Sequence, residues 1–469
     1  MKNLMTPKIR KVLIFIALYA ATFLLVMSTV WWAPYERNDF PLLRLVIIIF
    51  ATVLLTKYFI YMVISPWYDV RLAIQRNLQK EAFKKEGVRP PNPRVSVIVP
   101  AWNEEVGLVR TVKSILASNY SNLEVVVIND GSTDSSDKLM REFIAEYETE
   151  HEGKVFSGHR NIVYKYKQNA GKGKALNEGI RYASGEIIVS IDADCALTPD
   201  TIENFVRHFD DPKVMAAVGN VKIGNQKSLL ETLQYLEFLF SFYFKKTDSL
   251  FNTIYIIGGA AGAFRMSLFE HIGLYSSTNI TEDIDLSVRI QKAGMRIVYA
   301  ADSIVFTEAA ATIKGLAAQR LRWKRGRFQT FFEHKDLFYS DKRIHNKILS
   351  WMILPLAVFG DLQLFFEVFF LAFLYIYSFL THDFSSFLSG ILVVSSIFFV
   401  QIWDDKTTKK SDLLTLYLLA PIGWLLFYVT TLVEYRALIK SIFGMVKGDR
   451  LRWQRWKRVG ISTEKINSV

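Results

Sequence analysis

Asp192 and Asp194 close the apolar run Ile187-Ile188-Val189-Ser190-Ile191, with only Ala193 between them. If extended geometry persists through the pair, side-chain alternation puts both carboxylates on one side of the strand. A parallel sheet holds its ligands at the carboxyl ends of its strands, where such a pair can meet a nucleotide and a divalent cation together. An Asx-type turn closing a buried strand uses the same residues. The other loops tip the reading toward a nucleotide-sugar site.

Three further loops carry suitable chemistry. In Pro100-Ala101-Trp102-Asn103-Glu104-Glu105, Asn103 can cap the following helix while the loop faces a base. In Asn129-Asp130-Gly131-Ser132-Thr133-Asp134, Asp130 can accept hydrogen bonds from a uracil or a ribose, and Gly131 lets the chain turn sharply. Asn169-Ala170-Gly171-Lys172-Gly173-Lys174 sets two lysines among glycines where a helix begins, and backbone amides plus a lysine suit a diphosphate. The Walker A pattern is absent, so this is not an NTPase phosphate loop. The small-residue run from Gly258 to Arg265 reads either as a close approach to a ligand or as a packed strand. Cys195 is the only cysteine, which excludes an intrachain disulfide and a cysteine metal cluster, and it reads as a small packing residue.

The elements that must position these loops alternate. Strands are expected at 95–99, 123–128, 162–166, 186–191 and 214–218, with helices near 104–118, 134–149, 174–183 and 199–208. That order predicts right-handed crossovers and a mostly parallel α/β sheet. Outside it the chain is apolar: segments 12–32 and 42–64 are each long enough to cross a hydrocarbon core. Basic residues flank these segments before Val12 and after Pro66, which places the middle of the chain in the cytoplasm. The net charge of +12 therefore suits an anionic membrane face, and no nucleic-acid partner is expected. Apolar stretches return at 348–380, 387–403 and 412–434. Basic clusters on both sides of the last one leave either a broken hairpin around Pro421-Ile422-Gly423 or one cluster outside.

In chain order, Ser96-Val97-Ile98-Val99-Pro100, Asn129-Asp130-Gly131-Ser132, Gly171-Lys172-Gly173, Asp192-Ala193-Asp194, Thr281-Glu282-Asp283 and Gln319-Arg320-Leu321-Arg322-Trp323 form one set. The set resembles the processive membrane-bound family 2 glycosyltransferases, which include cellulose, chitin, hyaluronan and poly-N-acetylglucosamine synthases. The resemblance implies a GT-A-like cytoplasmic α/β domain inserted between N- and C-terminal transmembrane helices. Pro100, Asn103, Glu104, Asp130, Lys172 and Asp192 would bind a UDP-sugar, with Asp130 and Asp192 at the uridine and Lys172 at the diphosphate. Asp194 would hold a Mg2+ or Mn2+ ion, a hard cation suited to oxygen ligands. Asp283 would be the general base that deprotonates the acceptor hydroxyl.

Gln319, Arg322 and Trp323 share a helix face. Arg322 can fork onto a diphosphate, and by resemblance Trp323 marks the acceptor terminus at the mouth of a translocation channel. The remaining basic residues of the segment 319–327, with Phe328, Phe331 and Phe332, suit a helix lying on the membrane surface. Trp453, Trp456 and Arg458 resemble a tryptophan-and-arginine gate over UDP.

The expected organisation is two transmembrane helices in 1–66, a basic linker in 67–93 and a GT-A domain in 94–310. Acceptor-site and interfacial helices follow in 311–345, a transmembrane or re-entrant region in 346–443 and a basic tail in 444–469. The expected activity is inverting, processive synthesis of a β-linked polysaccharide from a UDP-sugar at the cell membrane. UDP-N-acetylglucosamine is the preferred donor, a growing polysaccharide the acceptor, and a small accessory membrane subunit is compatible. A β-glucan or hyaluronan-type product is the nearest alternative. A non-processive lipid-linked sugar transferase and an inactive assembly scaffold are the alternatives of another class.

Overall fold

The structure, a computed structural model, describes residues 2–32, 41–86, 92–151, 161–382, 384–405, 408, 410–449 and 458–461. The chain runs α1 (Lys2–Trp32), α2 (Pro41–Glu86), β1 (Val95–Ala101), α3 (Leu108–Leu116), β2 (Leu123–Asn129), α4 (Ser136–His151), β3 (Ile162–Tyr166), α5 (Lys172–Tyr182), β4 (Ile187–Ser190), β5 (Ala196–Leu197) and α6 (Thr201–His208). It continues through β6 (Val214–Ile223), α7 (Leu229–Phe251), β7 (Gly262–Arg265), α8 (Met266–Ile272), α9 (Glu282–Lys292), β8 (Arg296–Thr307), α10 (Ile313–Glu333), α11 (Leu354–Thr381), α12 (Ser385–Asp404) and α13 (Lys410–Val446). Two compact units result. One comprises Met1–Pro90, Leu239–Leu250 and Leu364–Leu432, and the other Pro91–Phe238, Phe251–Gln363 and Val433–Val469.

The second unit is built on an eight-stranded sheet in the order β3-β2-β1-β4-β7-β6-β8-β5. β1, β2, β3 and β4 pair in parallel, as their crossovers require, and β6 pairs in parallel with β8. β7 runs antiparallel between β4 and β6, and β5 antiparallel beside β8. β1 and β2 are buried throughout, which is why they read as unbroken Val/Ile runs instead of alternating ones. At the end of the sheet away from the site, the buried Glu124 accepts from Arg94 at 2.9 Å, from Ser96 at 2.5 Å and from the Ser184 amide at 2.7 Å, tying β1, β2 and the entry to β4 together.

The other unit is helical. Phe15 and Tyr19 of α1, Met62 of α2, Tyr243 of α7 and Ile397 and Val400 of α12 form its buried core. Lys246 is buried there between Asp69 at 2.9 Å and Asp404 at 2.5 Å, and Lys11 also pairs with Asp404. Such mutual pairing is what makes burial of charge tolerable. Among the described residues, Pro7–Ser28 and Leu349–Leu380 are long and apolar enough to cross a membrane. The expected second span, 42–64, lies in α2, which runs unbroken to Glu86; several of its side chains fall outside the described residues. Within α13, Asp412–Gly423 and Phe427–Val446 meet at a bend of 62° just after Pro421, the break that the Pro-Ile-Gly sequence announces.

Candidate active site

Parallel pairing sets Val95 opposite both Leu123 and Ile187, so β1, β2 and β4 end on one edge. The loops singled out in the sequence leave from that edge. Asn103 adopts φ 59°, and its side chain accepts from the amides of Thr133 at 2.7 Å and Asp134 at 3.1 Å. It therefore fastens the β1 loop to the β2 loop and does not cap α3, whose N-cap is Gly107. Pro100 is buried in β1 opposite Ile128, beyond the last β4 pairing at Ile98, so its missing N–H breaks no ladder with β4.

Asp130 is buried and accepts from Lys167 Nζ at 2.6 Å, Ala170 N at 3.0 Å and Gly171 N at 2.8 Å. These bonds shape the loop that delivers Lys172. Gly131, at φ 73°, could not carry a side chain: a Cβ would lie 2.6 Å from the Asn169 amide nitrogen. Lys174 is exposed, whereas Lys172 reaches the site and sits 2.6 Å from Asp192 and 3.4 Å from Glu282. Burial works against the Lys172 charge, but Asp192, Glu282 and Asp283 outweigh it and hold the ammonium above its ordinary range. Burial raises Glu282, with Lys172 opposing and Asp283 reinforcing.

The two aspartates differ from the strand expectation. Extended structure ends before Asp192, and the chain turns, with Cys195 N donating to Asp192 O at 3.1 Å. Asp192 thus pairs with Lys172, while the buried Asp194 pairs with Arg458 at 2.6 Å. Arg458 also donates to Glu104 at 2.6 Å, and the Val459 amide donates to Glu308 at 2.5 Å. Ile461 packs on Ala196, Ile304 and Phe306, anchoring this piece of tail. Burial pushes the Glu104 carboxyl up to about 7, with Arg458 opposing and Asp194 and Asp192 adding to it. Trp453 and Trp456 lie outside the described residues. Cys195 is a buried packing residue whose thiol is pushed up by burial and by Asp194.

Asp283 lies in the first turn of α9, and one of its oxygens accepts from Gly259 N at 2.9 Å. A Cβ on Gly259 would fall 2.5 Å from Lys172 Nζ. The glycine run therefore serves both readings: Gly259 is a close approach within the site, and 262–265 is the largely buried strand β7. From α10, burial lowers the Arg322 guanidinium, while the charges of Glu282, Asp283 and Asp192 draw it back up. Gln319 is buried. Arg320 stacks 4.4 Å from the Trp323 ring centre. Arg320, Lys324 and Arg327 pair inside this unit with Glu237, Glu434 and Asp361, so these basic residues are not spread on a membrane surface as their sequence pattern suggested. Phe331 is buried and Phe332 exposed.

A hard divalent cation fits the acidic set. Asp192, Asp194 and Glu104 supply only oxygen, and the second Glu104 oxygen is buried with no hydrogen-bond partner among the described residues. Arg458 already places positive charge on Asp194. Asp285, Glu333 and His334 form a separate group of possible ligands, but Asp285 is paired with Arg289 at 2.9 Å. The sequence alone assigns no role to Glu282, Glu308, Glu237 or Gly326. Glu308 lies one residue past β8, on the sheet edge that carries the other loops, but β8 itself does not stand out in the sequence, so no signal marks Glu308.

The sheet and its loaded edge define a GT-A-like glycosyltransferase fold. The model for glycosyl transferase family 2 matches residues 96–273, and that for glycosyl transferase family group 2 matches 187–435, more than half of the chain, which therefore belongs to this glycosyltransferase family. It is 28% identical over 375 residues to a poly-beta-1,6-N-acetyl-D-glucosamine synthase of Staphylococcus epidermidis, covering 76% of this chain and 86% of that protein. A Staphylococcus aureus synthase of the same name is 28% identical over 293 residues, covering 60% and 65%. A mannosyltransferase from Pyrobaculum calidifontis, solved in complex with GDP-Man and Mn2+, shares the fold with a TM-score of 0.51 at 19% identity over 82% of this chain and 99% of that one.

Proposed function

We propose that the chain is a metal-dependent, inverting and processive glycosyltransferase that polymerises a β-linked, poly-N-acetylglucosamine-like polysaccharide from UDP-N-acetylglucosamine. In this reading it passes the product across the membrane that its apolar helices span, with the sheet domain on the cytoplasmic side. The observation that carries the proposal is the convergence of Asp283, Glu282, Asp192, Lys172 and Arg322 in one half-buried charged site at the carboxyl edge of the sheet. The Staphylococcus relatives support the product class, and the Mn2+ and GDP-Man in the mannosyltransferase complex support a metal-bound nucleotide-sugar.

Each residue then has a task. Asp283, held by the Gly259 amide, takes the proton from the acceptor hydroxyl as that oxygen attacks the anomeric carbon from the face opposite the leaving UDP, which inverts the centre. Lys172 and Arg322 receive the charge that develops on the diphosphate. Asp194, with Asp192 and Glu104 nearby, would hold a Mg2+ or Mn2+ ion, which when bound neutralises the diphosphate. Asp130 and Asn103 keep the nucleotide loops in register, Trp323 offers a flat apolar face to the acceptor sugar, and Arg458 contributes to a gate.

The test is UDP release and product size from the purified, detergent-solubilised chain with Mg2+ or Mn2+ and each common UDP-sugar in turn. Release with UDP-N-acetylglucosamine alone and a long product agrees with the proposal. A single-sugar lipid product, or release only with UDP-glucose, contradicts it.

A further inference from the structure

Helix α10 carries Arg320, Lys324 and Arg327 at i, i+4 and i+7, one continuous face. All three are largely buried, and each meets an acid from a different element: Glu237 of α7, Asp361 of α11 and Glu434 of α13. Two of the three basic residues fix the helix. Lys324 lies 3.0 Å from both Asp361 and Glu434, Arg327 also pairs with Asp361, and Arg325 donates to the Ser441 and Asp449 carbonyls at 2.7 and 2.8 Å.

Arg320 is arranged differently. Its guanidinium donates to Glu237 at 2.6 Å and lies over the Trp323 ring, 4.4 Å from its centre, with Glu434 as a second, longer ion-pair partner at 4.0 Å. A planar guanidinium held by a carboxylate fixes the plane of the ring that it covers. With the helix docked through Lys324, Arg325 and Arg327, the Glu237–Arg320 pair is left to determine the orientation of the indole.

We infer that Glu237 is a positioning residue for the acceptor, acting through Arg320 on the ring of Trp323. The inference rests on the reading of Trp323 as the acceptor contact. It predicts that loss of the Glu237 charge loosens acceptor binding while leaving donor chemistry intact.

The experiment measures transfer by the full chain from UDP-N-acetylglucosamine with Mn2+ to a soluble N-acetylglucosamine oligosaccharide, over acceptor and donor titrations. The proteins compared are the parent, Glu237→Gln, Glu237→Asp, Arg320→Gln, Glu237→Gln/Arg320→Gln and Trp323→Ala. Expected for Glu237→Gln is an acceptor half-saturation raised tenfold or more and a shorter product, with kcat and donor KM within twofold. Glu237→Asp should recover to within threefold of the parent, and it carries the test if Glu237→Gln does not fold. The double variant should be no worse than Arg320→Gln alone, since both act through one pair. Multiplying effects, or equal losses in kcat and donor KM, overturn the inference. An unchanged acceptor half-saturation in Trp323→Ala overturns the reading beneath it; a shift in Trp323→Ala with none in Glu237→Gln overturns the inference alone.

Discussion

Gly326 of α10 faces Thr281, the residue before Glu282 and Asp283, with no room between them. A Cβ at Gly326 would lie 2.1 Å from Thr281 Oγ1, 2.4 Å from Cγ2 and 2.7 Å from Cβ. Because the Thr281 Cβ itself is in the way, no rotamer of Thr281 relieves the clash. Contact begins at about 3.5 Å, so Gly326→Ala must part helix and loop by roughly 1 Å. Overpacking of this kind costs about 1–3 kcal/mol, which the fold can absorb. A misplacement of ~1 Å between reacting groups costs on the order of 10²-fold in rate. Arg322 sits on α10, and Asp283 lies in the first turn of α9, two residues after Thr281, so the displacement separates the diphosphate group from the base. Gly326→Ala is therefore expected to remain folded and to lose roughly 100-fold in kcat/KM for UDP release. Thr281 makes no side-chain cap to α9, so Thr281→Gly removes the obstruction at the loss of its 3.2 Å bond to Asn279. The double variant Gly326→Ala/Thr281→Gly should regain most of the lost rate. Parent-like activity in Gly326→Ala, or no recovery in the double variant, would refute the packing argument.

Arg458→Gln leaves Asp194 and Glu104 without their partner; losing one member of a buried pair costs about 3–5 kcal/mol, so the metal-free protein should melt earlier. The same variant should bind Mn2+ at least about tenfold more tightly by electron paramagnetic resonance, because a cation no longer competes for Asp194, and equal affinity would contradict that role. Asp130→Asn weakens the bonds that hold Ala170 and Gly171, so faster amide exchange across 167–171 is expected before any donor is added, together with a donor KM raised about tenfold, or ~1.4 kcal/mol. Burial would raise the Glu124 carboxyl, but hydrogen bonds from Ser96, Ser184 and Arg94 hold it below the ordinary glutamate value. Its stabilising contribution is then present above about pH 4.3 and lost as pH falls through the lower folded-state value. The melting-temperature gap between parent and Glu124→Gln should close on acidification, and a gap that widened would oppose this.

Much of the donor side was legible because β1 and β2 are buried on both faces and read as Val/Ile runs ending in loops rich in Asn, Asp and Gly. β7 was not resolved, because Gly262-Ala263-Phe264-Arg265 carries no β-branched residue; its place is set by pairing with β4 and β6. β8 was hidden by Ala300-Ala301-Asp302-Ser303, where its pairing with β6 shifts register. The alternation expected at Asp192 and Asp194 failed because the chain turns there, a local geometry that neighbouring loops decide. The basic face of α10 pointed to a lipid surface because its acids, Glu237, Asp361 and Glu434, come from distant sequence, and charge complementarity across such separations is not written in any one segment.

The proposed mechanism turns on Asp283 as the base of a sugar transfer at this site. Its most direct measurement is UDP release from UDP-N-acetylglucosamine with Mn2+ by Asp283→Asn, alongside calorimetric donor affinity. Turnover should fall by about 10²–10⁴-fold with donor affinity nearly unchanged. Turnover equal to the parent's, with donor still bound, would contradict it.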